Sequence, residues 1–236
     1  MININIVQGN NKKLAYSDIN IVIDVIRAFS VSHYAFLNGI KYIILTNSIQ
    51  KALEIKFDRE NVILSGEVKG IKIKEFDFGN SPYELYTHNI KNKILVQKTT
   101  NGVKATLNSL NTDNCFVTGY SNAYNVAIYI KKFIKNLNKE NIKINIVASH
   151  PTGLEDLECA KYIEEIILNR DYNKRELDEK MVDIIINSEA SKKFFDVKEK
   201  EFSKLDIIFS SMLIQSNFIM KINQKNDMIF IEKLNI

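Results

Sequence analysis

The sequence predicts an α/β protein with three layers, α/β/α, in which helices cover both faces of a largely parallel or mixed sheet. Short runs rich in Ile and Val alternate with stretches that have the 3.6-residue period of helices, and this order recurs along most of the chain. Such alternation favours parallel strands joined by crossover helices. The 236 residues include only two prolines and no low-complexity linker. We therefore expect a single domain over residues 1–236.

Each element is predicted from its own pattern. The predicted strands are short β-branched runs, and they cover residues 19–24, 42–46, 62–65, 93–98, 115–118 and 142–148. The predicted helices cover residues 30–38, 48–57, 82–90, 102–110, 122–137, 154–168 and 174–187. Two more apolar runs, 218–222 and 228–232, are separated by polar residues. Their spacing predicts a hairpin, which we place at an edge of the sheet.

The charge of the chain is mildly positive. Lys and Arg number 32 against 28 Asp and Glu, which gives a formal net charge of +4, and the lysines are scattered rather than clustered. No arginine-rich stripe or aromatic-basic motif is present, so we expect no nucleic-acid partner. A positive balance favours a small anionic substrate through long-range attraction.

The cysteines and the apolar segments bear on the cellular compartment. Cys115 and Cys159 lie in no paired motif, so we expect both to be reduced core residues of a cytosolic protein. The first residues lack the basic and apolar regions of a signal peptide. No apolar stretch approaches the roughly 20 residues that span a bilayer. We therefore expect a cytoplasmic protein without a membrane partner, and a homo-oligomer is compatible with the sequence.

Polar residues follow the carboxyl ends of several predicted strands. They comprise Asp24, Gly66 with Glu67, residues 99–102, residues 119–122, and Ser149 with His150. Ligands of open α/β sheets bind outside the carboxyl ends of the strands. We therefore expect these residues to form one shared site.

Asp24 and Arg27 leave a strand and enter a helix, three residues apart. The carboxylate suits a hard divalent cation, and the planar guanidinium suits a phosphate or a carboxylate. An ion pair at the start of the helix explains the same spacing equally well.

The connection after Glu67 is long for an α/β unit, and long connections in compact domains are often functional. It contains Asp77, Asn80 and Ser81. Ser81 stands before Pro82, so helix capping explains that serine fully. Glu67 and Asp77 are therefore the stronger functional candidates of this segment.

Two helix starts carry further candidates. Residues 99–102 form a hydroxyl-rich turn that opens a helix, where free backbone N–H groups favour an anion, although a simple capped turn explains it as well. Glu155 and Asp156 lie in the first turn of another helix. There they complement the helix dipole whether or not they reach the site.

The order of these motifs resembles the 2-phosphosulfolactate phosphatase (ComB-type) family. The resemblance covers residues 20–209 and rests on the segments 24–28, 34–39, 66–67, 76–82, 99–102, 121–123 and 155–160. It implies an α/β/α fold and a Mg²⁺-dependent phosphatase that cleaves 2-phosphosulfolactate in coenzyme M formation. The catalytic residues that we infer are Asp24, Arg27, Glu67 and Asp77. The inferred Mg²⁺ ligands are Asp24, Glu67, Asp77 and Asp156. The inferred substrate- and phosphate-binding residues are Lys69, Asn80, Ser81, Thr99, Thr100, Asn101, Gly102 and Asn122.

The chain departs from the family pattern after its Gly-Glu pair. The family has an Arg followed by two glycines, whereas here Val68 and Lys69 precede Gly70. Cys159, Ala160 and Lys161 replace a Cys-Ala-Gly triplet, and the segment 148–153 is also altered. Either Lys69 replaces the charge of the arginine, or the substrate lacks the anionic group that the arginine contacts. A phosphatase diverted to another intermediate and an inactive binder of a phosphorylated ligand are the alternatives.

The sequence lacks the motifs that are typical of other phosphatase mechanisms. Neither cysteine is followed by an anion-binding loop that ends in Arg, and Asp24 has no second Asp two residues later. No Walker-type loop is present, and His33, His88 and His150 are too scattered for a zinc motif. His150, at a strand end, is an acid–base candidate. Metal-assisted hydrolysis remains, with either water or a carboxylate such as Asp24 as the nucleophile.

Overall fold

The computed structural model describes residues 1–169 and 171–236. Within these ranges a sheet of ten strands has the order β1-β8-β2-β7-β9-β10-β3-β6-β4-β5 and is flanked by helices. The strands are β1 (Ile2–Gln8), β2 (Ser17–Ile23), β3 (Ile43–Leu45), β4 (Val62–Val68), β5 (Ile71–Lys72), β6 (Ile94–Lys98), β7 (Thr112–Thr118), β8 (Ile142–Ala148), β9 (Phe218–Lys225) and β10 (Met228–Asn235). The helices are α1 (Ala28–Leu37), α2 (Ile49–Asp58), α3 (Pro82–Thr87), α4 (Gly102–Asn108), α5 (Tyr120–Asn136), α6 (Leu154–Leu168), α7 (Lys174–Asn187), α8 (Lys192–Phe195) and α9 (Lys204–Ser211).

The observed elements confirm the predicted fold class. Most strand pairs are parallel, and the antiparallel pairs involve β5, β9 and β10. Each predicted helix is present, and α6 and α7 have the predicted bounds. Strand β1 was missed because its Ile residues alternate with Asn along a half-exposed edge strand, which leaves no continuous apolar run. Helices α8 and α9 were also missed; α8 spans only four residues, too few to show a period.

The C-terminal hairpin lies inside the sheet, so its predicted position at an edge is wrong. Strand β9 pairs with β7 through Val117 and Met220, and β10 pairs with β3 through Phe230 and Ile44. Consecutive residues of β9 are buried on both faces of the sheet. An edge position would expose part of this apolar surface to water, at a cost that grows with the exposed area.

Helix α1 lies at the centre of the molecule. Of its ten residues, all except Leu37 are buried. One core cluster joins α1 and α4 to apolar residues of strands from both halves of the sheet, from β2 and β8 to β4 and β6. Gln97 of β6 donates through Nε2 to the carbonyl of Ala28, at 2.7 Å. The sheet therefore curls around α1, and this curl brings the carboxyl ends of β2, β4 and β6 together.

Two further predictions concern the cysteines and the membrane. Cys115 and Cys159 are both buried as free thiols, as expected, and burial raises the pKa of Cys115 to about 12. Among the helices of the described residues, none is both long enough and apolar enough to cross a membrane.

Candidate active site

A cleft of about 250 Å³ lies at the carboxyl ends of β2, β4 and β6. Its lining residues are Asp24, Ile26, Arg27, Glu67, Lys69, Gly70, Asn80, Thr99, Thr100, Asn101, His150, Ala190, Lys193 and Phe194. Most of the residues that the sequence singled out thus share one cavity. We call Asp24 and Glu67 its acidic end, and Arg27 and Lys193 its basic end.

Asp24 follows β2 and stands at the start of α1. Its Oδ1 accepts the N–H of Ala28 at 2.9 Å, and its Oδ2 accepts the hydroxyl of Ser149 at 3.3 Å. Burial raises the pKa of Asp24 to about 6, and the negative charge of Glu67 adds to the shift. A Cβ on Gly102 would lie 2.8 Å from Oδ2, so only glycine lets α4 begin this close to the carboxylate.

Asp156 lies behind Asp24 as its buried partner. Its Oδ1 accepts the N–H of Val25 at 2.8 Å, and its Oδ2 accepts the N–H of His150 at 3.0 Å and the hydroxyl of Ser149 at 3.1 Å. Burial, followed by the charge of Asp24, raises the pKa of Asp156 well above its ordinary value. Asp156 therefore ties the ends of β2 and β8 together and does not line the cleft itself.

Glu67, near the end of β4, joins two loops of the acidic end. Its Oε1 accepts the N–H of Thr100 at 2.5 Å. Its Oε2 accepts the N–H of Gly70 at 2.5 Å and the hydroxyl of Thr100 at 3.0 Å. These bonds hold the turn after β6 against the turn after β4, and they orient the carboxylate.

Arg27 is buried and held by the C-terminal part of the chain. Its guanidinium donates to Asp206 Oδ2 and to the carbonyl of Gly70, both at 2.9 Å. The guanidinium carbon lies 4.9 Å from the ring centroid of Phe194 and 5.4 Å from that of Phe202. The partner of Arg27 is thus Asp206 of α9, not Asp24. This finding argues against the alternative of an Asp24–Arg27 ion pair at the helix start.

Asn80 and Asn101 supply amide groups to the cleft. Asn101 Oδ1 accepts from Asn10 at 2.8 Å, which leaves the NH₂ group of Asn101 as a donor. Asn80 is buried, and its Oδ1 has no hydrogen-bond partner among residues 1–169 and 171–236. A buried acceptor without a donor is costly, so a cation or a donor from a ligand would stabilise it.

Five predicted site residues do not line this cleft, namely Asp77, Ser81, Gly102, Asn122 and Asp156. Asp77 forms an ion pair with Lys56 at 2.6 Å and accepts the N–H of Leu64 at 2.8 Å, so both its oxygens serve the junction of α2 and β4. Asn122 donates to the carbonyl of Phe218 at 3.3 Å and lines a different cavity. Ser81 caps α3 and donates to Asp206 at 2.5 Å. The structure therefore does not bring Asp77 or Asn122 to Asp24, and it supports capping for Ser81.

Lys193, Phe194 and Asp206 were not predicted. They come from α8 and α9, far along the chain from the strands that carry the acidic end. Only the docking of α8 and α9 beside Arg27 brings them to the cleft. Their sequence segments carry no spacing that would have identified them as site residues.

The residues of the acidic end fit a magnesium ion. Mg²⁺ takes oxygen ligands and is usually bound by one or two carboxylates together with substrate phosphate. Asp24 and Glu67 supply two carboxylates, and Asn80, whose buried Oδ1 has no hydrogen-bond partner in the described residues, lines the same cavity. No group of three or more His, Cys, Asp or Glu residues that could hold a metal by itself occurs in the described part of the chain. The protein donors thus suit a metal ion that completes its coordination with oxygens of a bound phosphate.

Comparison with known proteins agrees with this chemistry. The family model described as 2-phosphosulpholactate phosphatase matches residues 4–233. A protein of Bacillus subtilis (strain 168) named "Probable 2-phosphosulfolactate phosphatase" is 42% identical over 229 residues, which cover 97% of each chain. Proteins with the same name from Clostridium beijerinckii and Clostridium perfringens (strain 13) are 35% and 38% identical. Those two alignments cover 66% and 65% of this chain, and 64% and 62% of the relatives.

Proposed function

The chain belongs to the 2-phosphosulpholactate phosphatase family and is a phosphoric monoester hydrolase, and we propose that it hydrolyses 2-phosphosulfolactate or a related phosphorylated hydroxy acid with the help of Mg²⁺. The observation that carries this proposal is that two buried carboxylates, Asp24 and Glu67, and two cationic side chains, Arg27 and Lys193, line the same cleft. In line with the family, we place the reaction in the cytoplasm and in coenzyme M formation.

The acidic end would hold the metal ion. Asp24 and Glu67, with Oδ1 of Asn80, would bind Mg²⁺. The bound ion would neutralise the charge that develops on the phosphoryl oxygens. The hydrogen bonds from Ala28 and Ser149 keep the Asp24 carboxylate in place. Those from Thr100 and Gly70 do the same for Glu67. The carboxylates are therefore oriented before a ligand arrives, which reduces the reorganisation that the reaction needs.

The other polar groups would hold the substrate. Asn101 and Thr99 line the same cavity, and the NH₂ group of Asn101 and the hydroxyl of Thr99 can donate to phosphoryl oxygens. His150 borders the cleft and is positioned to exchange a proton with the leaving alkoxide or with water. Water and the carboxylate of Asp24 both stay open as the nucleophile.

A phosphatase that acts on a different small acidic ester is the second candidate. The observation that favours it is Val68, which stands where the family has an arginine and exposes 43% of its surface. Valine offers no donor, so an anionic group that relied on the arginine would lose a charge-assisted contact at this position.

Phosphate release from a panel of small phosphate esters tests the proposal. We expect turnover of 2-phosphosulfolactate with added Mg²⁺ and its loss after chelation, with recovery when Mg²⁺ is restored. Full activity after thorough chelation would contradict the metal assignment. Turnover of another acidic ester alone would favour the second candidate, and no release from any ester would indicate an inactive binder.

A further inference from the structure

The basic end of the cleft contains two cations on one aromatic surface. The ammonium of Lys193 lies 4.5 Å from the ring centroid of Phe202 and 5.7 Å from that of Phe194. These are the two rings that Arg27 also contacts. Cations over aromatic faces are attracted to the ring electrons, so both side chains are held at this end of the cleft.

The charges at the basic end do not balance. Asp206 forms an ion pair with Arg27 at 2.9 Å. Within residues 1–169 and 171–236, no carboxylate lies within 4.0 Å of the Lys193 ammonium. Burial, followed by the nearby charge of Arg27, lowers the pKa of Lys193. Two cations thus line one part of the cleft. The carboxylates that act on Lys193, which are Glu67, Glu199 and Glu155, lie beyond ion-pair distance, so an anion within reach of both cations would be stabilised.

The carboxylates of the acidic end disfavour a second anion beside them. Asp24 and Glu67 are negative, and like charges in a partly buried site repel strongly. A substrate whose phosphate lies at the acidic end would therefore direct its other anionic groups to the basic end. 2-Phosphosulfolactate carries two such groups, a carboxylate and a sulfonate.

Lys69 is the competing cation. It also lines the cleft, but it lies in the exposed turn after β4 and has a positive φ of 53°. Its backbone N–H donates weakly to the hydroxyl of Thr100, at 3.4 Å. The described structure gives its ammonium no aromatic contact or ion pair that would hold it over the cavity. Lys193 is the better oriented of the two lysines.

We propose that Lys193, beside Arg27, binds the anionic group of the substrate that is not transferred, and that it sets the preference of the cleft for esters with such a group. The inference rests on the proposed function. It assigns substrate recognition to a residue of the C-terminal segment. The position after Glu67, where the family has an arginine, carries Val68 in this chain.

Steady-state kinetics of Lys193→Met tests the assignment, because methionine keeps the apolar stem and removes the charge. The substrates are 2-phosphosulfolactate, 2-phospholactate with a carboxylate alone, 2-sulfoethyl phosphate with a sulfonate alone, and ethyl phosphate with neither. We expect KM for 2-phosphosulfolactate to rise between about 10- and 100-fold, the loss typical of a charge-assisted contact. The kcat should stay near the wild-type value, because the contact is present in both ground and transition states.

Lys192→Met is the matched control, since Lys192 is paired with Glu189 at the exposed side of α8 and lies outside the cleft. It should behave as wild type, and Lys193→Arg should restore most of the affinity. Ethyl phosphate should be hydrolysed equally by all variants. A KM rise limited to 2-phosphosulfolactate and 2-phospholactate assigns the carboxylate to Lys193. A rise limited to 2-phosphosulfolactate and 2-sulfoethyl phosphate assigns the sulfonate.

Calorimetric titration with 3-sulfolactate separates this inference from the proposed function, because that compound has no phosphate to release. Lys193→Met should weaken its binding by the same factor as the KM change. Unchanged binding and KM in Lys193→Met would overturn the inference even if the wild-type protein is active. A loss confined to Lys69→Met, or an equal loss in Lys192→Met, would also overturn it. If the wild-type protein releases no phosphate, the proposed function fails, and the titration still decides the role of Lys193.

Discussion

Strand β2 carries an aspartate at each of its two ends, and the two carboxylates have opposite surroundings. Asp18 and Asp24 are equally buried, each 6% exposed. Asp18 accepts from the ammonium of Lys139 at 2.5 Å and from the N–H of Lys143 at 2.7 Å, and these bonds lower its pKa. No Lys or Arg of the described chain forms an ion pair with Asp24, and burial raises its pKa to about 6.

The difference shows which carboxylate is paired with a cation of the protein and which one is available to a ligand. At the amino end of β2 the protein supplies its own cation, so the carboxylate contributes to stability. At the carboxyl end the charges of Glu67 and Glu155 add to the effect of burial and oppose the ionisation of Asp24, which in turn raises the pKa of Asp156. Buried carboxylates without a cation are expected at functional sites rather than structural ones.

The largest effect should follow from Asp24→Asn, which keeps the shape and removes the charge. We expect phosphate release to fall by at least about 100-fold, because a lost metal ligand removes charge stabilisation in the transition state. Glu67→Gln should give a loss of the same order. Asp18→Asn is the matched control on the same strand and should retain near-wild-type kcat/KM. Near-normal rates in both cleft variants would refute the assignment of the acidic end.

Gly102→Ala should reduce activity less. A Cβ at this position would lie 2.8 Å from Asp24 Oδ2 and 2.9 Å from the Cβ of Ala28, so the carboxylate must shift. A displacement of this kind can lower a rate by about 10- to 100-fold. Gly79→Ala is the control, because its nearest contact would be an ordinary 3.4 Å. If both alanine variants show wild-type kcat, the position of Asp24 does not depend on Gly102.

Asp18→Asn should lower stability rather than activity. Because the Lys139 side chain is 41% exposed and water screens the pair, its loss should cost at most about 1 kcal/mol of unfolding free energy at pH 7, measured by urea denaturation. Because the folded-state pKa of Asp18 lies below its ordinary value of 3.8, this contribution is present above that value and is lost as the pH falls through the folded-state pKa. The stability difference between the wild type and Asp18→Asn should therefore shrink below pH 4. A difference that grows with acidification would show that Asp18 is not held ionised.

The smallest effect is expected for Asp77→Asn. The Lys56–Asp77 ion pair is about one-third exposed on both sides, and such pairs contribute about 0–1 kcal/mol. Asparagine can still accept the N–H of Leu64, so both stability and phosphate release should stay close to wild type. Activity that falls as far as in Asp24→Asn would support the sequence-based prediction that Asp77 acts in catalysis.

The sequence by itself located the residues that form the acidic end of the cleft. The alternation of β-branched runs and helical periods locates strand ends within a few residues, and Asp24, Glu67 and the turn at residues 99–102 lie at such ends. Parallel strands point their carboxyl ends to one edge of a sheet. Five strands separate β2 from β4, however, so only the curl of the sheet around α1 brings Asp24 and Glu67 together. The order of the motifs was then sufficient to identify the family, whose model covers residues 4–233.

Only the tertiary structure decided the basic end and the position of the hairpin. Lys193 and Asp206 reach Arg27 because α8 and α9 dock beside it, and no local pattern encodes a contact across so many residues. The residue pattern of β9 is compatible with an edge position as well as with its actual position between β7 and β10, so the pattern alone could not place the hairpin. Asp77 stands in a motif of the family, yet its side chain turns to Lys56, because side-chain direction in a loop depends on packing rather than on sequence position.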